Sequence, residues 1–155
     1  MKPHQPDQAG DLKESLTRLE QTLETPIVPG ELRPWLEDAL QAFLNAGYLY
    51  RREVEETHRE LFDKLCHHDM ALAVRVEQMK DSDAELLANW NRLDTKLVRL
   101  CDAVLESEHQ DAELPERATE FSDQAIKLII DVRKHEAKLV TWYLESLNRD
   151  RGLGD

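Results

Sequence analysis

The side chains of this 155-residue chain that could do chemistry are carboxylates and six histidines. Glu55-x-x-His58 and Glu106-x-x-His109 each put a carboxylate and an imidazole on one helix face, a spacing that carboxylate-bridged di-iron bundles use twice. The two pairs would be level only if residues 31–106 formed one long helix turning near Lys80. Asp131 and His135 stand four apart, so His135 reads as a charged or hydrogen-bonded interior residue, and Glu136 follows it. His67-His68-Asp69 sets two imidazoles side by side with no spaced partner, which suits a solvated turn better than a zinc site. Cys66 and Cys101 lack the spacing of a zinc knuckle or a redox pair and read as two buried thiols. No Ser or Cys nucleophile stands out beside a base, and there is no glycine-rich phosphate loop. No catalytic residue is expected, and the chain reads as a non-enzyme.

The elements that must position these groups are helices. Asp11 and Glu14 form a capping-box pattern, and Leu12, Leu16, Leu19 and Leu23 follow at helical spacing. Residues 25–30, with two prolines and a glycine, break that helix. A second begins near Glu31 with Pro34 in its first turn, and its stripe runs through Leu36, Leu40, Phe43, Gly47, Tyr50, Val54, Leu61 and Leu65. Gly47 would let a neighbouring helix approach closely. The pattern breaks at residues 66–69, where Asp69 suits the N-cap of a third helix through Leu72, Val76, Met79, Leu86, Trp90, Leu93, Leu97, Leu100 and Val104. No Gly or Pro there decides between this break and one unbroken helix. Pro115 opens a last helix through Phe121, Ala125, Leu128, Val132, Leu139, Tyr143 and Leu147. With no strand pattern, the expected class is all-α, an antiparallel up-down-up-down four-helix bundle over residues 11–150, with tails at 1–10 and 151–155.

Three stretches resemble the hemerythrin-like family, the HHE cation-binding bundles. They are Val54-Glu-Glu-Thr-His-Arg-Glu-Leu-Phe62, Asp131-Val-Arg-Lys-His-Glu136, and the tail from Tyr143 to Asp155. The resemblance implies a bundle whose buried His and carboxylate side chains hold two irons. Where it would place ligand histidines, this chain has Ser15, Arg51, Asp83 and Asp131, and only Glu55 or Glu56 and Glu136 stand at family-like positions. A guanidinium has no free lone pair for a metal, so the resemblance points to an eroded site. Asp83 lies four after Met79 and three before Leu86, and Asp131 lies three after Leu128, so helical geometry turns both inward. Arg51 is then expected to supply the positive charge of an interior ion-pair network with Ser15, Glu55, Asp83 and Asp131. The alternative leaves these groups at seam edges, reaching into water.

The net charge of −12 argues against a nucleic-acid partner, which relies on Lys and Arg. No apolar run approaches the ~20 residues that span a bilayer, and the start lacks a secretory core, so no membrane partner and a cytoplasmic location are expected. The leading expectation is a non-enzymatic hemerythrin-like bundle with an eroded metal site and no cofactor, acting through an unknown protein partner or a polar interior pocket. The alternative is a divalent-metal or iron site built from Glu55, His58, Asp83, Asp131, His135 and Glu136, with an oxygen, redox or metal-sensing role. A third reading is a homodimer presenting an acidic face to a basic partner.

Overall fold

The computed structural model describes residues 11–68, 70–107 and 112–152, and among them every regular element is helical. α1 (Leu12–Glu24) opens on Asp11, whose Oδ1 accepts the Glu14 N–H at 3.0 Å, as the capping-box pattern requires. It stops at Thr25, ahead of Pro26, and the connection is pinned where Trp35 Nε1 donates to the Thr25 carbonyl at 3.0 Å. Gly30 turns the chain with φ +86°, a conformation that costs other residues a Cβ clash.

The second rod has three parts: α2 (Leu32–Arg52), a π-helical segment (Glu53–His58) and α3 (Arg59–His68). A short 3-10 turn (Met70–Leu72) then leads into α4 (Ala73–Glu106), so residues 31–106 are not one helix. The expected N-cap, Asp69, lies outside the described residues. The last rod, α5 (Glu113–Gly152), has 40 residues and runs past the boundary expected at residue 150. Of the expected tails, 1–10 lies outside the described residues, and of 151–155 the first two residues belong to α5 while the rest lie outside.

α1 packs on α2 and α5, α4 packs on α2 and α5, and α3 adds contacts to both α4 and α5. Polar pairs tie them together. Asn45 donates to Ser15 at 3.2 Å, Ser122 donates to the Leu23 carbonyl at 2.9 Å, and Lys96 reaches Gln124 at 3.0 Å. The main core is built from the predicted stripes, with Phe43 at its centre; its ring lies 4.8 Å from that of Trp90 and 5.6 Å from that of Phe121. Gly47 faces Trp90, and an added Cβ would stand 3.4 Å from the ring, an ordinary van der Waals contact. A second, smaller core gathers Phe62, Leu65, Leu72, Val76, Leu139 and Trp142. Trp142 takes the seam position there, whereas Tyr143 and Leu147, expected inside, are exposed. Cys66 is also exposed rather than buried, and only Cys101 is partly covered, with burial pushing its thiol up. No described helix is long and apolar enough to cross a membrane.

Candidate metal centre

Between the two cores, each long rod contributes polar side chains to the interior. The π segment makes this possible for the second rod. In an α-helix, residues five apart diverge by about 140° around the axis. Where the backbone bonds i to i+5, they stack instead. Glu53 and His58 therefore face the same way, Glu53 half-buried and His58 only 2% exposed. On α4, Asp83 lies on the stripe of Val76, Leu86 and Trp90 and is buried. On α5, His135 follows Val132 by three and precedes Leu139 by four, which also turns it inward, and Glu136 stands half-buried beside it.

Asp83 is the hub. Both its oxygens lie 3.0 Å from His58 Nδ1, and Oδ1 lies 2.6 Å from His135 Nε2. Tyr50 Oη donates a longer bond to Oδ1, at 3.5 Å. The two imidazole rings are 5.8 Å apart and steeply inclined, and Tyr50 and Phe62 flank His58. On its other side, His58 Nε2 lies 2.7 Å from Glu136 Oε1. Yet neither of these two buried atoms has a hydrogen-bond partner of proper geometry.

The charges follow from this packing. Burial alone would push His58 down, but hydrogen bonds and attraction from Asp83 and Glu136 outweigh it and raise the imidazole to about 9. Burial would likewise raise Asp83, and the hydrogen bonds from His135 and His58 hold it below the usual carboxylate range instead. Glu53 is pushed up, first by burial and then by the neighbouring Glu136 carboxylate. Burial, with Asp83 and Glu136, keeps the Tyr50 phenol protonated.

Two triads could offer ligand atoms to a cation, and they share His58: Glu53–His58–Glu136 and His58–Asp83–His135, each with its atoms within 4.8 Å of one another. The second is already satisfied by direct hydrogen bonds. The first holds the orphaned atoms and two carboxylates with no cation between them but His58. The donors do not fit the two irons of the hemerythrin-like resemblance. Two-metal sites keep their ions about 3.5–4 Å apart. Here the triads meet only through the diverging nitrogens of one imidazole.

The other expected site residues lie elsewhere. Arg51 is exposed and hydrogen-bonds Asn91, Glu55 is exposed, and Asp131 is half-buried at the edge of a surface groove. Ser15 is buried but pairs with Asn45. The interior partners of Asp83 are therefore two histidines, not Arg51. Arg51's long stem carries its charge to water, and Val132 takes the inward position near Asp131. Glu106 and His67 are exposed, and His109 and Asp69 lie outside the described residues. Sequence reasoning missed Glu53 because its spacing to His58 is not a helical ligand spacing unless the backbone widens there. Comparison of the chain with family models, with curated proteins and with solved structures finds no match.

Proposed function

We propose that the chain is a metal-binding domain that holds a single divalent cation between Glu53, His58 and Glu136, in an up-down-up-down bundle related to the hemerythrin-like fold. The order of cross-rod pairs supports that topology: Ser15 with Asn45 and Thr25 with Trp35, then His58 with Asp83 and Arg51 with Asn91, then Asp83 with His135 and Lys96 with Gln124. In each pair of rods, rising numbers on one meet falling numbers on the other.

The observation that carries the metal reading is the pair of buried ligand atoms on His58 and Glu136, which lie 2.7 Å apart as a charge contact but lack a hydrogen bond of proper geometry. An orphaned buried polar atom is costly, and a cation would satisfy both at once. One nitrogen and two carboxylates suit a borderline metal such as zinc, ferrous iron or manganese, which would supply Lewis acidity there. Asp83 is the outer partner that such a histidine needs. By accepting from Nδ1 it fixes the ring and leaves Nε2 for the cation. Because Glu53 and His58 stand on the π segment and Glu136 on α5, binding would cross-link two rods. That coupling of cation to backbone favours a sensing role.

Equilibrium dialysis against zinc, manganese and anaerobic ferrous iron, followed by elemental analysis, tests this. One equivalent should be retained by the native chain and by Glu55→Gln, and lost with Glu53→Gln or Glu136→Gln. Equal retention by all four proteins would sink it. The second reading, a bundle that works by protein contact with its interior held by protons alone, rests on the raised His58, itself a cation between carboxylates. It requires no metal uptake by any of the four.

A further inference from the structure

The cations of this acidic chain are unevenly partnered. Arg33 pairs with Glu37, Arg52 with Glu56, Lys64 with Glu60 and Lys80 with Glu77, each within a turn of helix, whereas some other cations among the described residues form no ion pair. On α4 three cations gather along one stripe. Arg92, Lys96 and Arg99 follow one another at intervals of four and three, and α5 faces them with Arg117 and Lys127 across a groove of about 930 Å³. Among the described residues only Lys96 meets a carboxylate, Glu120 at 3.5 Å, while the other four form no ion pair.

Like charges one turn apart repel, and a chain with 32 Asp and Glu residues has acids to spare for every cation. Five cations line one groove, so its positive charge is concentrated where an anion from outside could meet several of them at once. We propose that the α4–α5 groove binds a compact polyphosphate-bearing small molecule. Three arginines favour phosphate, whose oxygens accept the two parallel N–H bonds of a guanidinium fork. The volume falls within the range of small-molecule sites. Arg92 to Arg99 spans about 10 Å along the helix, a reach suited to a short run of phosphates rather than a long chain. Length is limited further by Glu85 and Asp131, which line the same groove, and by the net charge of −12 around it, which repels an extended polyanion. The inference stands apart from the metal reading, and its test uses metal-stripped protein.

Titration calorimetry of the full chain with inorganic tripolyphosphate, in about 50 mM salt, reads the proposal directly. One molecule should bind per chain, more weakly as salt rises. Arg99→Gln with Arg117→Gln should weaken it by about tenfold or more, as loss of charge-assisted bonds does. Arg33→Gln with Lys64→Gln should leave it unchanged, with circular dichroism verifying that both variants fold. Protection of Lys96 and Lys127 from amine-directed labelling by tripolyphosphate gives a second readout that needs no variant. Absence of binding at millimolar tripolyphosphate, equal weakening by the two double variants, or tighter binding of a poly-glutamate peptide would each overturn the proposal.

Discussion

Asp83 accepts hydrogen bonds from two imidazoles in a place that water does not reach, so the interior must respond to pH. In the metal-free chain His58 rises from 6.5 unfolded to about 9 folded. A group raised on folding stabilises fully below its unfolded value and loses that contribution as pH climbs through its folded one. His58 thus supports the fold below pH 6.5 and gives up its share by about pH 9, on the order of a few kcal/mol. Glu53, also raised, adds a loss in the same direction above its ordinary 4.5. Asp83 is lowered, so its contribution is present above 3.8 and disappears as pH falls through its folded value. Metal-free protein should therefore be most stable in mildly acid solution and weaken toward pH 9, as urea midpoints across that range can measure. Asp83→Ala removes the hub and leaves two buried imidazoles without their acceptor, so it should cost about 3–5 kcal/mol at pH 6. A loss under about 1 kcal/mol would mean the imidazoles find other partners. Inward placement of Asp83 was legible from Met79 and Leu86, but the same spacing rule turned Asp131 inward too, and it stands half-buried at a groove edge. The partner of Asp83 was not legible: Arg51 and Glu55 lie near a seam too, and spacing alone cannot tell a side chain that enters from one that reaches water.

Within the elements, the caps, turns and stripes were written locally and could be read locally: Asp11 with Glu14, the prolines of residues 25–30, and the leucines of α1 and α4. The π segment was not, since its six residues, Glu-Val-Glu-Glu-Thr-His, carry no Gly or Pro to mark a widened turn. It is stable only because the rod on both sides is already committed to its seams and the extra residue must go somewhere. That view makes a sharp forecast. Deleting exposed Thr57 should let the rod close into a regular helix, with Glu53 and His58 now four apart and still on one face. Helicity and metal stoichiometry should persist, and the melting temperature should hold or rise. Deleting Glu37, exposed in the regular part of α2, should instead rotate everything beyond it by about 100° and unfold the bundle. If both deletions are equally damaging, the extra residue of the π segment is needed for more than spacing.

Across the whole molecule, the polar cluster divides two cores of unequal size. The larger draws on α1, α2, α4 and α5, while the smaller holds six buried residues from α3, the 3-10 turn, the start of α4 and the far half of α5, with no share in α1. Stability scales with apolar area removed from water, so the smaller end should open locally at lower free energy than the larger. The cluster sits at the joint between them, and its candidate ligands span it, Glu53 and His58 just before α3 and Glu136 just before Leu139. A cation bound there would hold the root of the smaller core shut without touching the larger one. Amide exchange should then show residues 59–76 and 137–148 exchanging faster than 35–50 and 86–100 in metal-free protein, and slowing selectively when zinc is added. Because a ligand stabilises only the states that bind it, protection spread evenly over the chain would mean that the joint opens only with global unfolding. Protection confined to the smaller end would identify that end as the part of the fold whose order reports the cation.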